Sequence, residues 1–291
     1  MHRLARAPAS SANLGPGFDT LAVALGLFIE VELRERPQGL LVEAEGEGAD
    51  LATGASHLAA QVACKVLGHD RLGLRIRSEI PVARGLGSSA ALAVAAAAAA
   101  GVEEGAVGAF RWGAAIDGHP ENAAASAFGG LVTAALVDDQ PVARSLRLDP
   151  ELSFVVVVPD LRLSTPAARD ILPESVPYED AVFNLGRMGL LVAGLADHRG
   201  LLATAGDDRL HQQARSVLLP EAPAILAGLR DAGALTSCWS GAGPSILAMS
   251  TRERAPALAE SARQLMSSLE LSGQVLEVPP GLRGVEVYDL D

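Results

Sequence analysis

The sequence predicts an α+β protein of two domains, and three observations predict it. Its 291 residues are too many for one ordinary core and too few for three. The first half sets strand-like segments between glycines and then runs strand, glycine loop and alanine-rich helix in order. A continuous apolar run at residues 154–158 opens a second alternation of strands and helices. The boundary is placed near Leu152, giving domains of residues 1–151 and 152–291.

The elements follow from local pattern. Residues 26–33 and 39–45 mix aliphatic and charged side chains in near alternation, as half-exposed antiparallel strands do. Residues 56–67 have helical spacing, with Leu58, Val62 and Val66 on one face, and residues 72–80 alternate as a strand. Residues 90–100 are almost pure alanine, a strong helix former whose small side chain permits close packing. A further helix fits residues 106–117, followed by a turn at 118–122, a strand at 131–136 and a turn at 138–141. In the second half, the run at 154–158 reads as a strand buried on both faces, and helices fit residues 181–195 and 221–232. Strands at 235–240, 245–249 and 284–288 then complete a smaller α+β layer.

Composition excludes several classes of partner. A formal net charge of −12 argues against nucleic acid and anionic membranes, both of which need a cationic face. Arginine carries nearly all the positive charge, which suits bidentate recognition of carboxylate or phosphate. Cys64 and Cys238 are too few for a disulfide framework or a metal site, which fits a reducing, cytoplasmic setting. Residues 1–7 lack the basic-then-apolar pattern of a secretory signal, and the apolar run at 92–100 is far short of the roughly 20 residues that span a bilayer.

Four polar, glycine-bearing segments can carry chemistry. Arg84-Gly85-Leu86-Gly87-Ser88-Ser89-Ala90 combines flexible glycines, two hydroxyls and a following helix, so that backbone N–H groups and the positive helix end face an anion. The same pattern also serves as an ordinary helix cap, and it is neither the Walker loop nor the dinucleotide fingerprint. Near the start, Asn13 and Asp19 stand on a glycine-interrupted turn, where they suit an amine or a hydroxyl. Gly118-His119-Pro120-Glu121-Asn122 and Ser240-Gly241-Ala242-Gly243-Pro244-Ser245 are the other two.

In this order the four segments resemble the signature of the GHMP small-molecule kinases, over residues 8–249, with the homoserine kinase branch the most similar. The resemblance implies a two-domain α+β fold with an N-terminal S5-domain-2-like layer and a C-terminal ferredoxin-like layer. It implies ATP and Mg²⁺, with Gly85 to Ala90, Arg84 and His57 at the nucleotide, and transfer of the γ-phosphoryl group to the side-chain hydroxyl of L-homoserine in threonine biosynthesis. Segments around Thr165 and Arg169, and around His211 and Arg215, resemble those that supply substrate-binding arginines in that branch. Arg169 and Arg215 then clamp the carboxylate, with Asn13, Asp19, His119 and Asn122 around the amino and hydroxyl ends. Asp19 and Thr165 are the catalytic candidates. A homodimer is left open.

One departure concerns the metal. Homoserine kinases usually carry a Mg²⁺-binding glutamate eight residues before the histidine of Gly-His-Pro-x-Asn, and here that position is Arg111. Ser89 then stands as the metal candidate, with Arg111 as an alternative neutraliser of phosphate charge. Two smaller departures are Glu121 in place of aspartate and His57 in place of an adenine-contacting asparagine.

Overall fold

The computed structural model describes residues 1–290. The first layer is a seven-stranded sheet. Its strands are β1 (His2–Ala12), β2 (Leu21–Glu35), β3 (Leu41–Gly46), β4 (Leu72–Ser78), β5 (Leu131–Val137), β6 (Gln140–Leu146) and β11 (Glu286–Asp289). The order is β11-β1-β2-β4-β3, all antiparallel except β3 with β4. β2 is long enough to serve two neighbours: its second half pairs β4, and its first residues pair β5 of the β5–β6 hairpin.

Four helices belong to this layer: α1 (Leu58–Leu67), α2 (Ser88–Ala99) and α4 (Pro120–Phe128) pack on the sheet, and α3 (Ala106–Asp117) packs on α2 and α4. α2 is the central one, touching β1, β2 and each of the other three. Its alanines from Ala93 on are buried all round, which explains a composition with no apolar face: only small side chains let a helix be approached from every side.

The chain then adds β7 (Leu152–Pro159), α5 (Thr165–Asp170), α6 (Tyr178–Ala196), α7 (Gln212–Arg215), α8 (Ala222–Asp231), β8 (Thr236–Trp239), β9 (Ile246–Thr251), α9 (Ala255–Ser268) and β10 (Gly273–Val278). β7, β8, β9 and β10 form a second antiparallel sheet of order β10-β7-β9-β8. Taken in chain order with helices before β8 and before β10, this is the ferredoxin-like arrangement expected of the second layer. β7 is buried along its whole length, as expected. Phe154, Val156 and Val158 face the core shared with the first layer, whereas Val155 and Val157 face a separate core under α8 and α9.

Three expectations change. The last strand, expected in the smaller layer, instead pairs with β1 at the edge of the first sheet. Residues 39–45, expected as an antiparallel strand, instead supply β3, which runs parallel to β4; the turn carrying Asn13 and Asp19 follows β1 directly, with φ positive at Asn13. Residues 118–122 are not a free turn. Gly118 closes α3 in the left-handed region and Pro120 opens α4, a position where its fixed φ suits a helix start.

Candidate active site

A cavity of about 340 Å³ lies where the two layers meet, and all four polar segments reach it. From the first layer come Asn13 and Asp19, residues 85–89, and His119, Glu121 and Asn122. From the second come Thr165, Arg169, Arg215, Gly241 and Ala242.

The glycine loop is held by close backbone contacts. Gly85 and Gly87 have φ of +74° and +66°. A Cβ at Gly85 would sit 2.1 Å from the Ser240 carbonyl oxygen, and one at Gly87 would sit 2.0 Å from Ser10 Oγ. Ser240 Oγ donates to Gly85 O at 2.7 Å, and Ser10 N donates to Leu86 O at 3.1 Å. Ser88 and Ser89 form the first turn of α2 and line the cavity, where the N–H groups of a first helical turn have no partner within the helix.

Charged groups gather opposite the loop. Arg169 Nη2 donates to Asp19 Oδ1 at 2.5 Å. The guanidinium carbons of Arg169 and Arg215 each lie 5.5 Å from the Phe18 ring centroid. Arg215 is fully buried, donating to Ala168 O, Gly241 O and His211 Nδ1. Burial pulls its pKa down to about 10, and the nearby Arg169 adds to the fall. Burial likewise lowers the pKa of His119, helped by Arg169 and opposed by Asp19. Asn13 Nδ2 donates to Gly241 O at 2.8 Å, and its Oδ1 accepts from Asp19 N at 2.9 Å. Its amide therefore fixes the turn that presents Asp19. Asn122 Oδ1 accepts from Ser10 Oγ at 2.8 Å, which turns the amide nitrogen away from the loop brace.

Four expected residues lie outside this cavity. Arg84 donates to Asp160 O at 2.7 Å and ties the loop to the second layer. Ala90 is buried inside α2. His57 caps α1, its Nδ1 accepting from Ala59 N, and lines a neighbouring cavity of about 160 Å³ with Leu51, Leu58 and Leu92. The two cavities share Val82, Ser88 and Ser89. Arg111, the alternative neutraliser of phosphate, is half-exposed on α3 and donates to Glu104 at 2.6 Å. Its place on the solvent face of that helix removes it from phosphate binding. Besides Asp19, an acid that reaches the cavity is Glu121, buried in the first turn of α4 and read from the sequence only as a small departure. Phe18 and His211, which support the two arginines, were also passed over, although both stand inside segments already singled out.

Oxygen donors at the loop suit a hard cation: the Ser89 hydroxyl and the Glu121 carboxylate line one cavity with the anion-binding turn. A turn of this kind at the mouth of a helix, closed over by a ferredoxin-like layer bearing arginines, defines a small-molecule kinase of the GHMP class. The model of the GHMP kinases N terminal domain matches residues 51–130, and that of the GHMP kinases C terminal domain matches residues 189–268. Homoserine kinase of Rhodococcus erythropolis is 42% identical over 281 residues, covering 89% of each chain. That of Thermus thermophilus is 41% identical over 262 residues, covering 86% of this chain and 88% of the relative. The crystal structure of homoserine kinase from Cytophaga hutchinsonii superposes with a TM-score of 0.85 at 26% identity, covering 99% of this chain and 97% of that one. The chain belongs to the GHMP kinases, within the homoserine kinase family.

Proposed function

We propose that the protein transfers the γ-phosphoryl group of ATP to the side-chain hydroxyl of L-homoserine, giving O-phospho-L-homoserine. The observation that carries the substrate is the Arg169–Asp19 ion pair beside Arg215 in the cavity of the phosphate loop. An α-amino acid presents adjacent negative and positive groups, and the adjacent guanidinium and carboxylate match them in reverse order. Sugars and isoprenoid alcohols lack the ammonium group, so they would leave half of this pair unmatched. Arg169 and Arg215 receive the carboxylate, Asp19 the ammonium, and His119 and Asn122 the hydroxyl end.

The nucleotide phosphates lie along residues 85–89 and the base enters the apolar cavity beside His57, which is continuous with the loop through Ser88 and Ser89. Ser89 and Glu121 would hold Mg²⁺, whose contribution when bound is to neutralise charge on the transferring phosphoryl group. The chain itself supplies orientation. Phe18 and the backbone of Gly241 fix the arginines, Asn13 fixes Asp19, and the hydroxyl is thereby aimed at the loop. Thr165, at the start of α5 on the cavity wall, is placed to touch the nucleotide or the moving phosphoryl group. Among the described residues no helix is long and apolar enough to cross a membrane, and use of ATP points to the cytoplasm. Arg111, paired with Glu104 away from the cavity, gives no support to a catalytically weakened, ligand-binding role.

The test is ADP release with homoserine, ATP and Mg²⁺. Arg169→Ala is expected to raise KM for homoserine about a hundredfold while KM for ATP stays within about threefold, as loss of a charged hydrogen-bond pair implies. Unchanged homoserine turnover in the variant carrying both Arg169→Ala and Arg215→Ala would sink the carboxylate clamp.

A further inference from the structure

We propose that His211 is a positioning residue: as a neutral imidazole in one tautomer, it sets the Arg215 guanidinium for the substrate carboxylate. The role rests on the reading of Arg215 given above. His211 precedes α7 and Arg215 ends it, so one helical turn places the two side chains together. Nη1 of Arg215 lies 2.9 Å from His211 Nδ1. A guanidinium can only donate, so Nδ1 must offer its lone pair. On the other side of the ring, Nε2 lies 2.9 Å from the Gly15 carbonyl oxygen. A carbonyl can only accept, so Nε2 must carry the proton. These two contacts admit one state of the ring, neutral and protonated on Nε2.

The surroundings hold that state. His211 is buried, and Phe18 stacks on it at 5.0 Å between centroids. The charged groups around it are Arg215, Asp208 and, across the cavity, Asp19. Asp208 Oδ2 is 3.7 Å from Nε2, but it accepts from the backbone N–H groups of His211 and Gln212 at 2.8 and 2.7 Å, so it fixes the start of α7 and leaves the ring to Gly15. A second ring proton would point an N–H at the Arg215 guanidinium. Among the described residues, the bonds made by Arg215 fall on Nε and Nη1, which leaves Nη2 for the ligand. His211 thus joins the two walls of the substrate site, the turn after β1 and the arginine on α7.

Two isosteres separate the two contacts. His211→Gln can still donate to Gly15 O but cannot accept from Arg215, whereas His211→Asn keeps an acceptor near the place of Nδ1 and loses the donor. The glutamine variant is expected to raise KM for homoserine about tenfold or more, with KM for ATP within about twofold, and the asparagine variant is expected to recover most of the loss. Equal effects, or a worse asparagine variant, would overturn the proposal. A two-bond ¹H–¹⁵N spectrum of the wild-type protein tests it without any variant. The His211 signal should show the neutral Nε2–H form down to about pH 6, where a free imidazole is largely protonated. The other tautomer, or a cation, would refute it. A wild type inert toward homoserine would instead overturn the substrate reading, and the spectrum would still decide the state of the ring.

Discussion

Gly85 and Gly39 both hold positive φ, at +74° and +64°, yet their surroundings differ completely. A Cβ on Gly85 meets Ser240 O at 2.1 Å and Gly243 N at 2.7 Å, whereas one on Gly39 meets nothing within 4 Å. Gly85→Ala therefore combines backbone strain with a clash against main chain that cannot rotate aside. It is expected to destabilise by about 2–4 kcal/mol and to raise KM for ATP at least tenfold, against about 1 kcal/mol and unchanged kinetics for Gly39→Ala. Thermal melts and initial rates measured side by side would check this, and equal losses would remove the clash as the cause. The loop was legible in the sequence because glycine is the residue that tolerates both demands, a left-handed backbone and close approach of another chain. Glu121 was not. Its neighbours Pro120 and Asn122 mark a helix start, but which of the first-turn side chains enters the cavity depends on where α4 lies against β1 and α2, and no local pattern fixes that.

At the scale of elements, α3 decides the fate of Arg111. The resemblance to homoserine kinases puts a metal-binding acid at this position, but the helix turns it to solvent, beside Glu104. Arg111→Ala is expected to leave kcat and both KM values within about twofold of wild type, since an exposed pair of this kind contributes at most about 1 kcal/mol. A tenfold fall in kcat would return Arg111 to the phosphates. Element type was legible where a segment is buried in one simple way. α2 reads as a helix from alanine alone, and β7 as a doubly buried strand from its unbroken valines. α9 and β10 went unread, although Ala255, Leu258, Ala259, Ala262 and Met266 keep a helical spacing. Their apolar residues are interleaved with small and polar ones that blur the period, and the helix declares itself only against β10, β7 and α8. The last strand was read as a strand and given to the wrong sheet, because pairing across 280 residues leaves no local mark.

At the scale of the molecule, the two layers share a core. The sequence pattern divides them at Leu152, yet one apolar core runs from the helices of the first layer to Phe154, Val156, Leu247 and Met249 of the second sheet. Backbone bonds cross the same junction: Gly241 N to Ala12 O at 3.0 Å, and Leu163 N to Ala83 O at 3.1 Å. The chain then returns, with β11 pairing on β1. Unfolding one layer would expose the inner face of the other, so the free-energy cost of partial unfolding approaches that of complete unfolding. The two tryptophans make this measurable, since Trp112 lies in α3 and Trp239 in β8. In denaturant titrations of Trp112→Phe and Trp239→Phe, each variant reports one layer through the tryptophan that remains, and circular dichroism reports both. Within each variant the fluorescence and dichroism midpoints should coincide, and a fragment of residues 1–151, lacking β11 and the inner face of β7, should show no cooperative melt. Separate midpoints within one variant, or a fragment that melts like a folded protein, would mean that each layer holds its own fold and that the cavity between them is assembled from two preformed halves.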